Sequence, residues 1–159
     1  KAALYLPPLE RKPFEQLSGK ELSYNNLLDL DTLLRGCSIF QESCACTIVK
    51  HTTPCGTALG KNPLEAFRKA LACDPVSAFG GIIGLTRKLD METARAITET
   101  FFEIVAAPDF EEGVVDYFRE KKPNLRVLKL IPGYAPKLQL TGNRCGFLIQ
   151  EDRLPALPK

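Results

Sequence analysis

The chain has a single histidine, His51, among 159 residues. Chemistry that moves a proton near neutral pH therefore has one obvious carrier, because no other side chain titrates there without help from its surroundings. Cysteine is not scarce, but the spacing that metal chemistry needs is missing. Cys37, Cys44, Cys46, Cys55, Cys73 and Cys145 include no Cys-x-x-Cys pair, and His51 has no neighbouring ligand at the usual separation. Neither a zinc site nor a disulfide framework is expected. The thiols read as reduced, half-buried small apolar groups, with Cys55 the one to watch, in the loop after His51. Long apolar runs are lacking too. The longest, Phe101 to Pro108, is broken by Glu103, far short of the roughly 18 residues a membrane-spanning helix needs. With no charged-then-apolar leader, a cytoplasmic location is the expectation. Charge of one sign is absent as well: 21 basic against 19 acidic residues leave a net +2. The cluster Arg119, Lys121, Lys122 and Arg126 reads as the solvated end of a helix rather than a nucleic-acid stripe. With no repeat or low-complexity tract, the chain is expected to be one soluble domain without nucleic-acid or membrane partners.

What is present alternates between strand and helix signals. Residues 1–20 hold three prolines and read as an extended arm ending in a turn at Ser18-Gly19, which leaves 21–159 as the folded unit. A short polar stretch, Leu22 to Asn26, precedes a helix from about Leu28 to Arg35 closed by Gly36. Cys46 to Lys50 is a β-branched strand, followed by a Thr-Thr-Pro-Cys-Gly loop. Asn62-Pro63-Leu64-Glu65 is a well-capped helix start whose buried stripe is Leu64, Phe67 and Leu71. Gly80 to Leu85 is a glycine-bounded strand, Asp90 to about Thr100 a helix, and Glu103 to Ala107 a strand. Asp109 to Glu120 is a helix with Glu112 placed for a capping box, and Leu125–Leu130 and Cys145–Gln150 are strands. This is the grammar of an α/β fold with a mostly parallel sheet covered by helices.

Ligand sites in such sheets collect at the carboxyl ends of strands. Three loops qualify: the one after Lys50-His51, the Asp74 to Gly81 turn, and Ala107-Pro108-Asp109. Glycines at 80 and 81 suit either a backbone that approaches a ligand closely or a tight turn into a buried strand. Lys50 and His51 pose a geometric conflict, since neighbours in a regular strand point to opposite faces. They can share a pocket if the strand ends there, and Pro54 and Gly56 are expected to force the chain out of the ladder. The bland alternative is a structural histidine hydrogen-bonded at a strand end.

Five ordered blocks carry a family resemblance: LSYNNLLDLD at 22–31, IVKHTTPCGTALG at 48–60, DPVSAFGGIIGL at 74–85, FFEIVAAPDF at 101–110 and KKPNLRVLKL at 121–130. Together they resemble the aminoimidazole-carboxamide ribonucleotide (AICAR) formyltransferase part of a bifunctional purine-biosynthesis family whose other part is inosine monophosphate cyclohydrolase. The resemblance implies a cytidine-deaminase-like, three-layer α/β/α fold. It also implies transfer of a formyl group from the cosubstrate 10-formyltetrahydrofolate to the amine of AICAR. By position, His51 corresponds to the general base and Lys50 to the transition-state stabiliser, with Asn26, Gly80 and Glu103 lining the AICAR subsite and Phe79 packed beside it. Asn26 also suits an ordinary turn, whereas an acid such as Glu103 in an apolar strand favours the ligand reading.

A zinc deaminase, the rival that such a fold raises, needs H-x-E and a later P-C-x-x-C. Here Thr52-Thr53 follows His51, and Gly56-Thr57-Ala58 follows Cys55. That reading is rejected, and no metal is expected in this part. The resemblance further implies that the cyclohydrolase part and a second deaminase-like half, with most of the folate-binding residues, lie outside this chain. Two classes of function stay open: half of a formyltransferase site, completed by a homodimer partner or by the missing half, or a catalytically incompetent nucleotide-binding or protein-interaction module.

Overall fold

A computed structural model describes residues 4–6, 12–131 and 138–151. The parts of the expected arm at 1–3 and 7–11 lie outside the described residues, as do 132–137 and 152–159 of the expected folded unit. Six strands form one sheet: β1 (Phe14–Ser18), β2 (Ala45–Lys50), β3 (Thr53–Leu59), β4 (Ile82–Leu85), β5 (Ile104–Ala107) and β6 (Arg126–Leu130), in the order β1-β6-β5-β4-β2-β3. β4, β5 and β6 pair in parallel, β2 is antiparallel to both β4 and β3, and β1 is antiparallel to β6. Four strands, β3 to β6, thus run one way and two run against them. Phe14–Ser18 of the expected arm is therefore an edge strand of the sheet.

Alternation along the strands divides the core into two layers. Ile48, Ile83, Val105 and Val127 point to one face, where α2 (Pro63–Cys73), α4 (Met91–Thr98) and α5 (Val114–Lys121) supply Phe67, Ile97 and Phe118. Val49, Ile82, Ile104 and Leu128 point to the other, where α1 (Tyr24–Ile39) supplies Leu30, Leu33 and Cys37. Covered on both faces, β4 and β5 read as continuous apolar runs, as central strands should. The result is the expected three-layer α/β/α arrangement. Among the described residues no helix is long and apolar enough to cross a membrane.

Several boundaries differ from the sequence reading, each for a local reason. α1 starts four residues early because Ser23 and Asn26 form a reciprocal capping box. It continues through Gly36, which is an interior residue: a Cβ there would lie 2.9 Å from Cγ2 of Thr47 on β2. Helix α5 begins at Val114, not Asp109, because Phe110 bridges to Leu89 in extended backbone and Gly113, at φ 80°, starts the helix without a side-chain cap. Glu112 forms no capping box. Leu138–Asn143 pairs with Gly146–Glu151 as a separate hairpin, β7 and β8, of which only the second strand was expected.

The Thr-Thr-Pro-Cys-Gly segment is the largest correction. From Thr53 on it is strand, not loop: Thr53 pairs with Lys50 and Gly56 with Ile48. Pro54 is tolerated because β3 is an edge strand, where a missing N–H need not break a ladder. Gly56 is required by the approach of α2, since a Cβ on it would sit 2.0 Å from the Ala70 carbonyl oxygen. Gly56→Ala is therefore expected to cost about 1–3 kcal/mol by forcing β3 and α2 apart. A urea melt would show this as a lower midpoint at unchanged slope. An unchanged midpoint would mean that the contact yields freely.

Candidate active site

Because β2 runs against β4, its carboxyl end lies beside the amino ends of the parallel strands: Val49 pairs with Ile82, Ile82 with Ile104, and Ile104 with Arg126. Lys50-His51, Phe79-Gly80-Gly81 and Glu103 therefore gather at that end of the sheet. The N-terminus of α1 joins them through Asn26, which bonds Glu103. Ala107-Pro108-Asp109 does not. It sits at the opposite end, where Asp109 accepts a bond from Lys129 at 2.8 Å. That bond, helped by the positive charges of Lys129 and Lys88, holds the Asp109 carboxyl below its usual range.

The conflict between neighbouring Lys50 and His51 is resolved by a two-residue turn. Lys50 ends the ladder opposite Thr53, and the residues between them, His51 (φ 52°) and Thr52 (φ 60°), are both left-handed. Left-handed geometry matches the twist of paired strands, but glycine and asparagine, and to a lesser degree histidine, adopt it more readily than a β-branched threonine. Each such residue costs of order 1–3 kcal/mol unless its surroundings impose it. Here the Thr52 N–H donates to Asp29 Oδ1 at 2.6 Å, and Thr32 Oγ1 donates to the Thr52 carbonyl at 3.4 Å, both from α1. The imidazole is on an exposed residue and has no hydrogen-bond partner among the described residues. It thus lacks the bond that would make it a satisfied structural histidine.

Lys50 Nζ donates to the Phe79 carbonyl at 2.7 Å, tying the strand end to the loop that enters β4. That loop contains a short helix, α3 (Pro75–Ala78), capped by Asp74. Bonds from Ser77 hold the Asp74 carboxyl below its usual range, and Lys50 adds to the effect. Both glycines that follow are explained by the backbone. Gly80 is left-handed at φ 75°, donating its N–H to the Phe101 carbonyl at 2.8 Å, and a Cβ on Gly81 would lie 2.7 Å from the Val49 carbonyl oxygen. Phe79 is 57% exposed and pairs with Phe101, 47% exposed, at a ring-centroid distance of 5.5 Å. The sequence reading passed over Phe101, whose signal was only its place beside Glu103.

Asn26 is buried and is not a turn residue. Its Oδ1 accepts the Ser23 N–H at 3.0 Å, and its Nδ2 donates to Glu103 Oε2 at 2.7 Å, leaving one amide hydrogen uncommitted. Arg126 opens β6, within the strand expected at 125–130, but its side chain is not the solvated group that its place in the basic cluster suggested. Its side chain is 14% exposed, lies 3.6 Å from Glu103 Oε2 and donates to the Glu21 carbonyl at 2.9 Å. Asn26 and Arg126 thus converge on the same carboxylate oxygen, and Glu103 Oε1 has no protein partner among the described residues.

Cys55 lies in β3 rather than in a loop. Burial raises its thiol pKa, and Sγ contacts the Ile48 carbonyl oxygen at 3.5 Å, so it is poorly suited to act as a thiolate. Burial pushes Cys37 up to about 12. All six cysteines are free, and among the described residues no cluster of His, Cys, Asp or Glu could hold a metal ion.

The family model for the AICARFT/IMPCHase bienzyme matches residues 1–157. The chain belongs to that family. It is 48% identical over 134 residues to the bifunctional purine biosynthesis protein PurH of Persephonella marina, covering 81% of this chain and 26% of that protein. Against PurH of Petrotoga mobilis the identity is 46% over 138 residues, covering 87% and 27%. The chain therefore spans about a quarter of the length of these relatives. Among solved structures, Acinetobacter baumannii RibD, form 2, is similar with a TM-score of 0.48 at 13% identity, over 66% of this chain and 36% of that one.

Proposed function

We propose that this chain serves purine biosynthesis as the amine-activating side of a formyltransferase site, which passes a formyl group from 10-formyltetrahydrofolate to the 5-amino group of AICAR. The observation that carries the reading is the Lys50-His51 strand end. It carries a bonded ammonium on Lys50 and an uncommitted imidazole on the residue that follows, at the end of the sheet that also holds the Asn26–Glu103 pair. AICAR's amine is conjugated with its ring and carboxamide and is a weak nucleophile. His51 takes the amine proton as nitrogen bonds to the formyl carbon, and Lys50 offsets the charge that develops on the formyl oxygen. The bond from the formyl carbon to the folate nitrogen breaks, and that nitrogen leaves with a proton.

Glu103 and Asn26 hold the acceptor. With Oε2 fixed by Asn26 and Arg126, Glu103 offers Oε1 to an N–H or O–H of AICAR. Gly80 and Phe79 border the same subsite. The rest of the site, including folate positioning, comes from a second copy of the chain or from the remaining PurH sequence.

A chimera in which this chain replaces the matching segment of the Persephonella marina protein tests the acceptor role. Glu103→Gln is expected to raise KM for AICAR roughly tenfold, the effect of losing one charge-assisted hydrogen bond, while kcat changes much less. An unchanged KM would remove Glu103 from the subsite.

A further inference from the structure

The His51-Thr52 turn combines two features that rarely occur together. Both residues are left-handed, yet Thr52 is β-branched and is not of a type that holds that conformation by itself. The β2–β3 ladder, closed by Lys50 opposite Thr53, demands that conformation, and Thr52 needs further support from outside the hairpin to hold it. Among the described residues, the bonds from other elements to the backbone of this turn are Asp29 Oδ1 to the Thr52 N–H, at 2.6 Å, and Thr32 Oγ1 to the Thr52 carbonyl, at 3.4 Å. The first is short and charge-assisted, and the second is at the limit of a hydrogen bond. Asp29 lies one helical turn beyond Asn26, so α1 supports the acceptor subsite with one residue and the histidine turn with the next on that face.

We propose that Asp29 is the positioning residue of this site: by capping the Thr52 N–H it keeps the turn left-handed, and so keeps the His51 imidazole beyond the strand end while Lys50 remains in the ladder. The inference rests on the reading of His51 as the proton acceptor. Its chemistry is specific. A carboxylate, or an amide oxygen in its place, can accept that N–H, but a methyl group cannot. Glycine at 52 adopts the left-handed form without support, so it relieves the need for Asp29.

The test has a structural arm and a kinetic arm. In the labelled 159-residue chain, Asp29→Ala is expected to speed hydrogen exchange of the Thr52 amide at least roughly tenfold, whereas Asp29→Asn leaves it largely protected. In the chimera, Asp29→Ala is expected to lower kcat by roughly 10- to 10²-fold, the scale of a misplaced catalytic group. KM for AICAR should stay within about threefold, Asn should retain most of kcat, and adding Thr52→Gly to Asp29→Ala should restore it. A merely structural role would not produce that rescue. If Asp29→Ala keeps full kcat while His51→Ala loses it, the positioning role is overturned and the base assignment stands. If His51→Ala itself keeps full kcat, the base assignment fails and the inference falls with it. Should Asp29→Ala melt below the assay temperature, a folded double variant whose kcat is not restored overturns the proposal.

Discussion

His51→Ala in the chimera is expected to lower the turnover number at least ~10²-fold, the low end for losing a general base, while AICAR affinity stays within a few fold. The imidazole sits on an exposed turn with no hydrogen-bond partner among the described residues, so its removal takes away little packing and leaves no hydrogen-bonded group unpaired. A defect confined to the chemical step is what that geometry predicts. Lys50→Ala should act similarly, with one addition: Nζ also ties the strand end to the Phe79 carbonyl at 2.7 Å, so the loop that enters β4 is released as well. Lys50→Arg should rescue poorly, because a planar fork does not reproduce a compact ammonium at both the carbonyl and the developing oxyanion. Stopped-flow or steady-state formyl transfer, with a thermal melt of each variant, checks these outcomes. If both alanine variants mainly lower the melting temperature and the folded fraction keeps full turnover, Lys50 and His51 are structural.

Legibility in the sequence followed distance along the chain. The start of α2 was read correctly from four residues, and Asn62 Oδ1 does accept the Glu65 N–H at 2.8 Å with Pro63 opening the helix. The buried strands β4 and β5 were also plain, since doubly covered strands have uniformly apolar sequences. Features that depend on a distant neighbour were hidden. Gly36 carries the local mark of a helix stop, yet it is where α1 presses on Thr47. Pro54 and Gly56 look like loop residues, yet one suits an edge strand and the other lets α2 approach.

The same logic governs the site. Lys50 and His51 stood out by residue type and adjacency. Strand direction did not, and it decides which loops meet: the antiparallel pairing of β2 with β4 brings Gly80 and Glu103 to Lys50 and sends Asp109 to the far end. Arg126 was placed in the 125–130 strand by its apolar neighbours, but its grouping with the basic run before it gave no hint that its side chain reaches Glu103. The ties that hold the arrangement, Asp29 to Thr52 and Asn26 to Glu103, span 23 and 77 residues of sequence. No local pattern reveals such a bond.

The 159-residue chain by itself is expected to show no measurable formyl transfer. On the proposed reading the described residues would supply proton acceptance and one acceptor subsite, beside which Phe79 and Phe101 are about half exposed. On the same reading, positioning of the formyl donor would fall to a second copy or to the rest of the PurH length. Holding two substrates in reacting geometry can supply roughly 7–11 kcal/mol of barrier lowering, so its loss outweighs anything one well-placed base provides. A radiolabelled-formyl assay at high enzyme concentration checks this, and turnover near an ordinary enzymatic rate would refute it. The reverse experiment, adding the remaining part of a related PurH protein in trans, should restore activity if the two parts associate.

The central claim, that His51 faces bound AICAR beside Glu103, has a direct test because the chain contains one histidine. Selective ¹⁵N-histidine labelling gives a single imidazole to follow during titration with AICAR. The account predicts a saturable shift of the imidazole nitrogen resonances, weakened by Glu103→Gln and unaffected by a substitution at Asp109 on the opposite end of the sheet. Imidazole resonances that stay in place while AICAR binding is registered elsewhere on the chain would contradict it.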